Sequence, residues 1–101
     1  MATGGRRDEI DGAVQAWESD LERLRVALAN APEVINAKHH SGFAELYRQK
    51  EVVKSRWETI RGVYQPDAQA VRHFEVAFAS MTAAWARAQP MLAEVLAGAA
   101  S

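Results

Sequence analysis

The chain has 101 residues, a net charge of −1 and no cysteine, which excludes two full domains, a disulfide framework and any thiolate zinc or cysteine-nucleophile chemistry. Hydrophobic residues, many of them alanine, make up 49% of it and the pI is near 6.3, so the composition points to helix and offers no global basic field for nucleic acid. No stretch of about 18 apolar residues is free of charge, and Arg6-Arg7 is followed by Asp8-Glu9, so neither a transmembrane helix nor a secretory signal is expected and the expected location is cytoplasmic.

Residues 1–5 are small and read as a flexible lead-in. Ile10, Val14, Trp17, Leu21, Leu24 and Leu28 then recur at alternating steps of four and three, which predicts a first helix over 6–29. Its other faces carry Glu18, Asp20, Glu22, Arg23 and Arg25, a solvated surface, and Asp8 and Glu9 in the first turn suit the helix dipole.

At Asn30-Ala31-Pro32-Glu33 a tight turn is predicted, with Asn30 as N-cap, Pro32 in the first turn and Glu33 completing a capping box. The competing reading carries the first helix through Pro32 and turns at His40-Ser41-Gly42. An interior proline costs about 3 kcal/mol against roughly 1 kcal/mol for an interior glycine, which favours the turn at Pro32.

A second helix over 32–63 places Ile35, Phe43, Leu46, Val53, Trp57, Ile60 and Tyr64 on its apolar side. Arg48, Lys54, Arg56 and Arg61 make it mildly basic, but Glu45, Glu51 and Glu58 interleave them, unlike a nucleic-acid stripe. Gly62 and Gln65-Pro66-Asp67 end this helix and begin the next.

The third helix, expected over 66–98, carries the strongest signal. Val71, Phe74, Phe78, Met81, Trp85, Ala88, Leu92, Val95 and Ala99 form an unbroken heptad stripe, and charge is sparse around it: only Asp67, Arg72, Glu75, Arg87 and Glu94. A helix so poor in charge needs cover on more than one side. Pro90 lies off the stripe, which predicts a bend there, and residues 97–101 are expected to fray. Val76, Ala77, Ala84, Met91 and Leu96 widen the apolar face: they either contact both neighbouring helices or leave a flat surface for a partner or a second copy.

Short turns make neighbouring helices antiparallel, so the expected architecture is all-α, an up-down-up three-helix coiled-coil bundle. Reflection about the two turns pairs residue i with roughly 61 − i and roughly 130 − i, which puts Trp17, Phe43 and Trp85 in one aromatic layer.

With these residues laid out, Trp17, Lys38-His39 or His40, Phe43, Glu45-Leu46 and Trp85, the chain resembles a single spectrin repeat. That resemblance implies three heptad helices with an aromatic layer midway. A second resemblance, to small secreted helical hairpins with a Trp-x-Gly turn, would place the reversal at His40-Ser41-Gly42, where the tryptophan is missing.

Candidate chemistry is thin. His39 and His40 are adjacent and point about 100° apart on a helix, and no His-x-x-x-His or Glu-x-x-His pair exists, so no metal site is expected. Carboxylates have basic neighbours at helical spacing, as Glu58 has Lys54, and such pairs contribute about 0.2–0.5 kcal/mol each. No glycine-rich phosphate loop is present. The expected function is therefore non-enzymatic: a structural or scaffolding module, without cofactor, whose partner is a protein or a second copy of the chain. The alternatives are an amphipathic protein adsorbing to a lipid or granule surface, with Arg72 and Arg87 as its only flanking cations, and a secreted hairpin partner protein.

Overall fold

The computed structural model describes residues 2–100, and among them the chain is all-helical with no strand. Helix α1 spans Ala2–Asn30, α2 Glu33–Arg61, α3 Ala68–Arg87 and α4 Gln89–Ala100. The molecule is a rod of 50 × 24 × 18 Å, its length set by two 29-residue helices rising 1.5 Å per residue. Helix α1 begins ahead of the expected Arg6 and α4 runs past Ala97; Met1 and Ser101, the outermost residues of the two expected flexible ends, lie outside the described residues.

The chain reverses at Ala31-Pro32, so Ser41 and Gly42 lie inside α2. The expected capping box is absent. Asn30 closes α1 and Pro32, at φ −54° and ψ 150°, stands in the N-cap position with no side chain capping the helix. Asn36 takes over the link between the helices, its Nδ2 donating to the Leu28 carbonyl at 2.8 Å. At the second turn Asp67 is the residue before α3, also without a side-chain cap bond.

The third apolar stretch is two helices and not one bent helix. Pro90 has no N–H to offer the Ala86 carbonyl, and its ring crowds that carbonyl. Regular helix is interrupted for one residue at Ala88, at φ −85° and ψ −5°, whose N–H still donates to the Ala84 carbonyl at 3.0 Å and also to the Trp85 carbonyl at 3.2 Å. Leu92 N–H donates to the Ala88 carbonyl at 3.0 Å, so the rung that is lost is the one Pro90 cannot give to Ala86. The break redirects the chain: α3 packs on α2, while α4 packs on both α1 and α2. No Cα of α3 comes within 8 Å of one in α1.

Large side chains fill that wider gap. Trp17 and Phe78 rings lie 5.4 Å apart, Phe78 and Phe74 5.5 Å, and Phe74 and Trp57 5.0 Å, all tilted, the geometry aromatic pairs favour. Beneath them Leu21, Leu24, Val53, Met81 and Val95 are almost wholly buried. The expected layer of Trp17, Phe43 and Trp85 does not form. Trp17 meets Phe78, one heptad before Trp85; Phe43 pairs with Tyr47 on its own helix, and Trp85 lies half-buried beside Leu24 and Leu92.

The cause lies in the first hairpin. The second follows the expected register, with Ser80 Oγ donating to Gln49 Oε1 at 3.1 Å and Trp57 against Phe74. In the first, Glu18 meets Lys54, and Asp11 meets Trp57 and Arg61, seven to eleven residues beyond the partners that a simple reflection assigns. Side chains tilt toward the N-terminus of their own helix, so across an antiparallel pair the tilts run in opposite directions along the rod. The extended backbone of Pro32 adds to the offset before α2 begins.

Candidate interaction surface

Helices α2 and α3 face each other along one side of the rod, where turns of the two helices alternate across a groove of about 370 Å³. Arg48, Val52 and Arg56 follow at four-residue steps on α2, and Arg72, Val76 and Ser80 do so on α3. Four-residue spacing keeps each row on a single face, which is why they converge. Val52 and Ala77 lie part-buried in the groove, and Val76 stands 65% exposed at its edge.

Gln49 links this groove to a second hollow of about 290 Å³ farther along the same crease, where Gly42, Leu46, Ala84 and Met91 lie beside Arg87. Small residues leave that part open: a Cβ at Gly42 would come within 3.2 Å of the Met91 sulfur. Of the residues expected to widen the apolar face, Val76, Ala77, Ala84 and Met91 thus lie along this crease, while Leu96 lies with Trp85 on the α1 side. Ala84 itself is buried and belongs to the core.

Charge along the crease is one-sided. Arg56, Arg72 and Arg87 form no salt bridge with any carboxylate among the described residues, and His73 is exposed beside them. The one carboxylate present, Glu45, is neutralised by Arg48, with Nη2–Oε2 2.5 Å, and is held below its usual pKa by hydrogen bonds from Arg48 and Gln49. Elsewhere cations pair closely, as Arg6 does with Glu75 at 2.7 Å and Arg25 with Glu22 at 2.5 Å.

The remaining polar groups hold the helices to one another. Asp11 accepts from Trp57 Nε1 at 2.7 Å and from Arg61 Nε and Nη2 at 2.9 and 2.8 Å. The Arg61 guanidinium, followed by the indole N–H, lowers its pKa from 3.8 to about 2. A folded pKa below the unfolded value adds stability above the unfolded pKa, and that stability is lost as pH falls through the folded one. Acid titration should therefore destabilise the wild type between about pH 4 and 2 through this group, and Asp11→Asn should flatten that part of a Tm-against-pH curve.

Lys54 goes to Glu18 at 2.9 Å and not to Glu58, the neighbour its spacing suggests. Lys50, nearly buried, reaches Glu51 at 2.5 Å and sits 4.2 Å from the centre of the Tyr47 ring. His39 Nε2 lies 2.5 Å from Glu94 Oε1, tying α2 to α4, with Lys38 beside it; His40 is exposed. No group of three or more His, Asp or Glu among the described residues could hold a metal ion, and no described helix is long and apolar enough to cross a membrane. No protein-family model, curated protein or solved structure matches the chain.

Proposed function

We propose that the chain is a non-enzymatic helical module that binds another protein along the α2/α3 crease. Its helices are read as an up-down-up antiparallel bundle of the spectrin-repeat type, in which α3 and α4 together stand for the third helix. The observation that carries the functional reading is the crease itself: apolar residues lie between arginines without a salt bridge, on a face that no other element covers among the described residues. Isolated exposed apolar residues such as Val26 or Val34 are ordinary on a small protein. Apolar residues gathered in two adjoining hollows with a polar rim, meeting at the Ser80–Gln49 hydrogen bond, have the make-up of an interaction site.

Adsorption of the third stretch to a lipid or granule surface is less favoured, because Phe74, Met81 and Val95 would have to leave the core to face such a surface. The test is a photo-crosslinking amino acid placed at Val76 in the crease or at Gly12, an exposed and open position on α1. In expressing cells, a defined protein adduct is expected from position 76 and not from position 12. Equal labelling from both positions, or none from position 76, would sink the reading.

A further inference from the structure

Resting on that reading, we infer that the crease receives a single amphipathic α-helix whose apolar residues are flanked by carboxylates, an acidic fourth helix laid between α2 and α3.

Shape argues for a helix. The crease is formed by two packed helices whose exposed residues recur at four-residue steps, the spacing that a third helix can interdigitate with. It extends from Arg72 to Met91, about 28 Å of helix at 1.5 Å per residue, room for roughly five turns of a partner. The small residues Gly42, Ala77 and Ala84 let a backbone come near, and Val52, Val76 and Met91 give its apolar stripe something to cover.

Charge argues for the acidic class. Arg56 and Arg72 flank one end and Arg87 the other, none with a carboxylate partner among the described residues, while most other cations of the rod are engaged. Arginine forms bidentate bonds with carboxylates, and those bonds strengthen as the partner excludes water. No Phe, Tyr or Trp among the described residues lines the crease, which therefore lacks the row of stacking rings found in a single-stranded nucleic-acid groove. A second copy of the chain is a poorer occupant. The apolar stripes of α1 and α3 are consumed by the core, leaving no unburied acidic amphipathic helix to offer.

The test uses the full chain as selection target for a display library of helical peptides with randomised faces, followed by resonance mapping of the recovered binders. Binders that perturb Val52, Val76 and Ala77, carry Asp or Glu on both flanks of an apolar i, i+4 stripe and lose affinity with added salt are expected. The double variant Arg56→Glu, Arg72→Glu should weaken them at least tenfold, and replacing the peptide's carboxylates with lysine should restore binding to that variant. Both arginines are exposed and unpaired, so helicity by circular dichroism should be unchanged.

Binders that map to the crease without an acidic bias would overturn the inference and leave the crease reading intact. Binders that map only elsewhere would overturn both. Tighter occupation of the crease by an oligonucleotide or anionic vesicle probe, or a concentration-dependent dimer that blocks it, would also overturn the inference.

Discussion

Replacing Phe74 with alanine should cost about 3–5 kcal/mol, read as a shift of the urea midpoint at unchanged m-value. Phe74 is 2% exposed and its ring joins Trp57 to Phe78, which in turn meets Trp17, so one side chain links all the rings between α1, α2 and α3. The cavity left behind could not close easily. The backbones of α1 and α3 are held apart by their separate contacts with α2 and by the turn of α4 onto α1. Trp85→Ala provides the comparison. That ring is half-buried and lies in the cleft beside Leu24 and Leu92, so its loss should cost less, about 1–2 kcal/mol. Equal losses at the two positions would mean that the aromatic cluster is not the core of its half of the rod.

The contrast between Phe74 and Trp85 also marks how far the fold was legible in the sequence. Heptad spacing identified nearly every buried residue, from Ile10 to Val95, because an apolar face repeats wherever a helix needs cover. The reversal at Ala31-Pro32 followed from the cost of an interior proline. Which residues share a layer did not follow. That depends on side-chain tilt and on the turn's backbone, and an error of one heptad leaves the periodic pattern unchanged while exchanging Phe78 for Trp85. Pro90 was recognisable as a perturbation, yet bend and break differ only by the one rung Pro90 cannot supply and the backbone angles of Ala88.

The crease was legible only in part. Val76 and Ala77 stood out as apolar residues beyond the stripe the core requires. Arg56 reads in the sequence as part of an interrupted basic helix, and Arg72 and Arg87 as too few cations to flank an adsorbing face, because spacing along one helix does not reveal which cations find partners on another. Lys54 illustrates the point, bridging to α1 and leaving Glu58 without a close salt bridge. The absence of pairing at the three arginines emerges only once α2 faces α3 and α4, and it is this absence that gives the surface its charge.

Val95→Asp should produce a different kind of loss, confined at first to one end of the third stretch. Val95 is 0% exposed, and α4 is held to the rod by its packing on α1 and α2. An uncompensated carboxylate there costs several kcal/mol unless the segment moves out to water, and movement is the easier response. The ladder already lacks the rung from Pro90 to Ala86, and α3 ends at Arg87, so α4 can detach at the Ala88 turn with little unwinding of α3. Amide exchange should accordingly accelerate over residues 91–100 while amides around Phe74 and Met81 keep most of their protection, a sub-global opening of a single structural unit. Val95→Ala, which adds no charge, should leave the same amides protected at a smaller cost in stability. Uniform acceleration across all four helices in Val95→Asp would show instead that α4 and the aromatic half unfold as one, and that the break at Ala88 redirects the chain without uncoupling it.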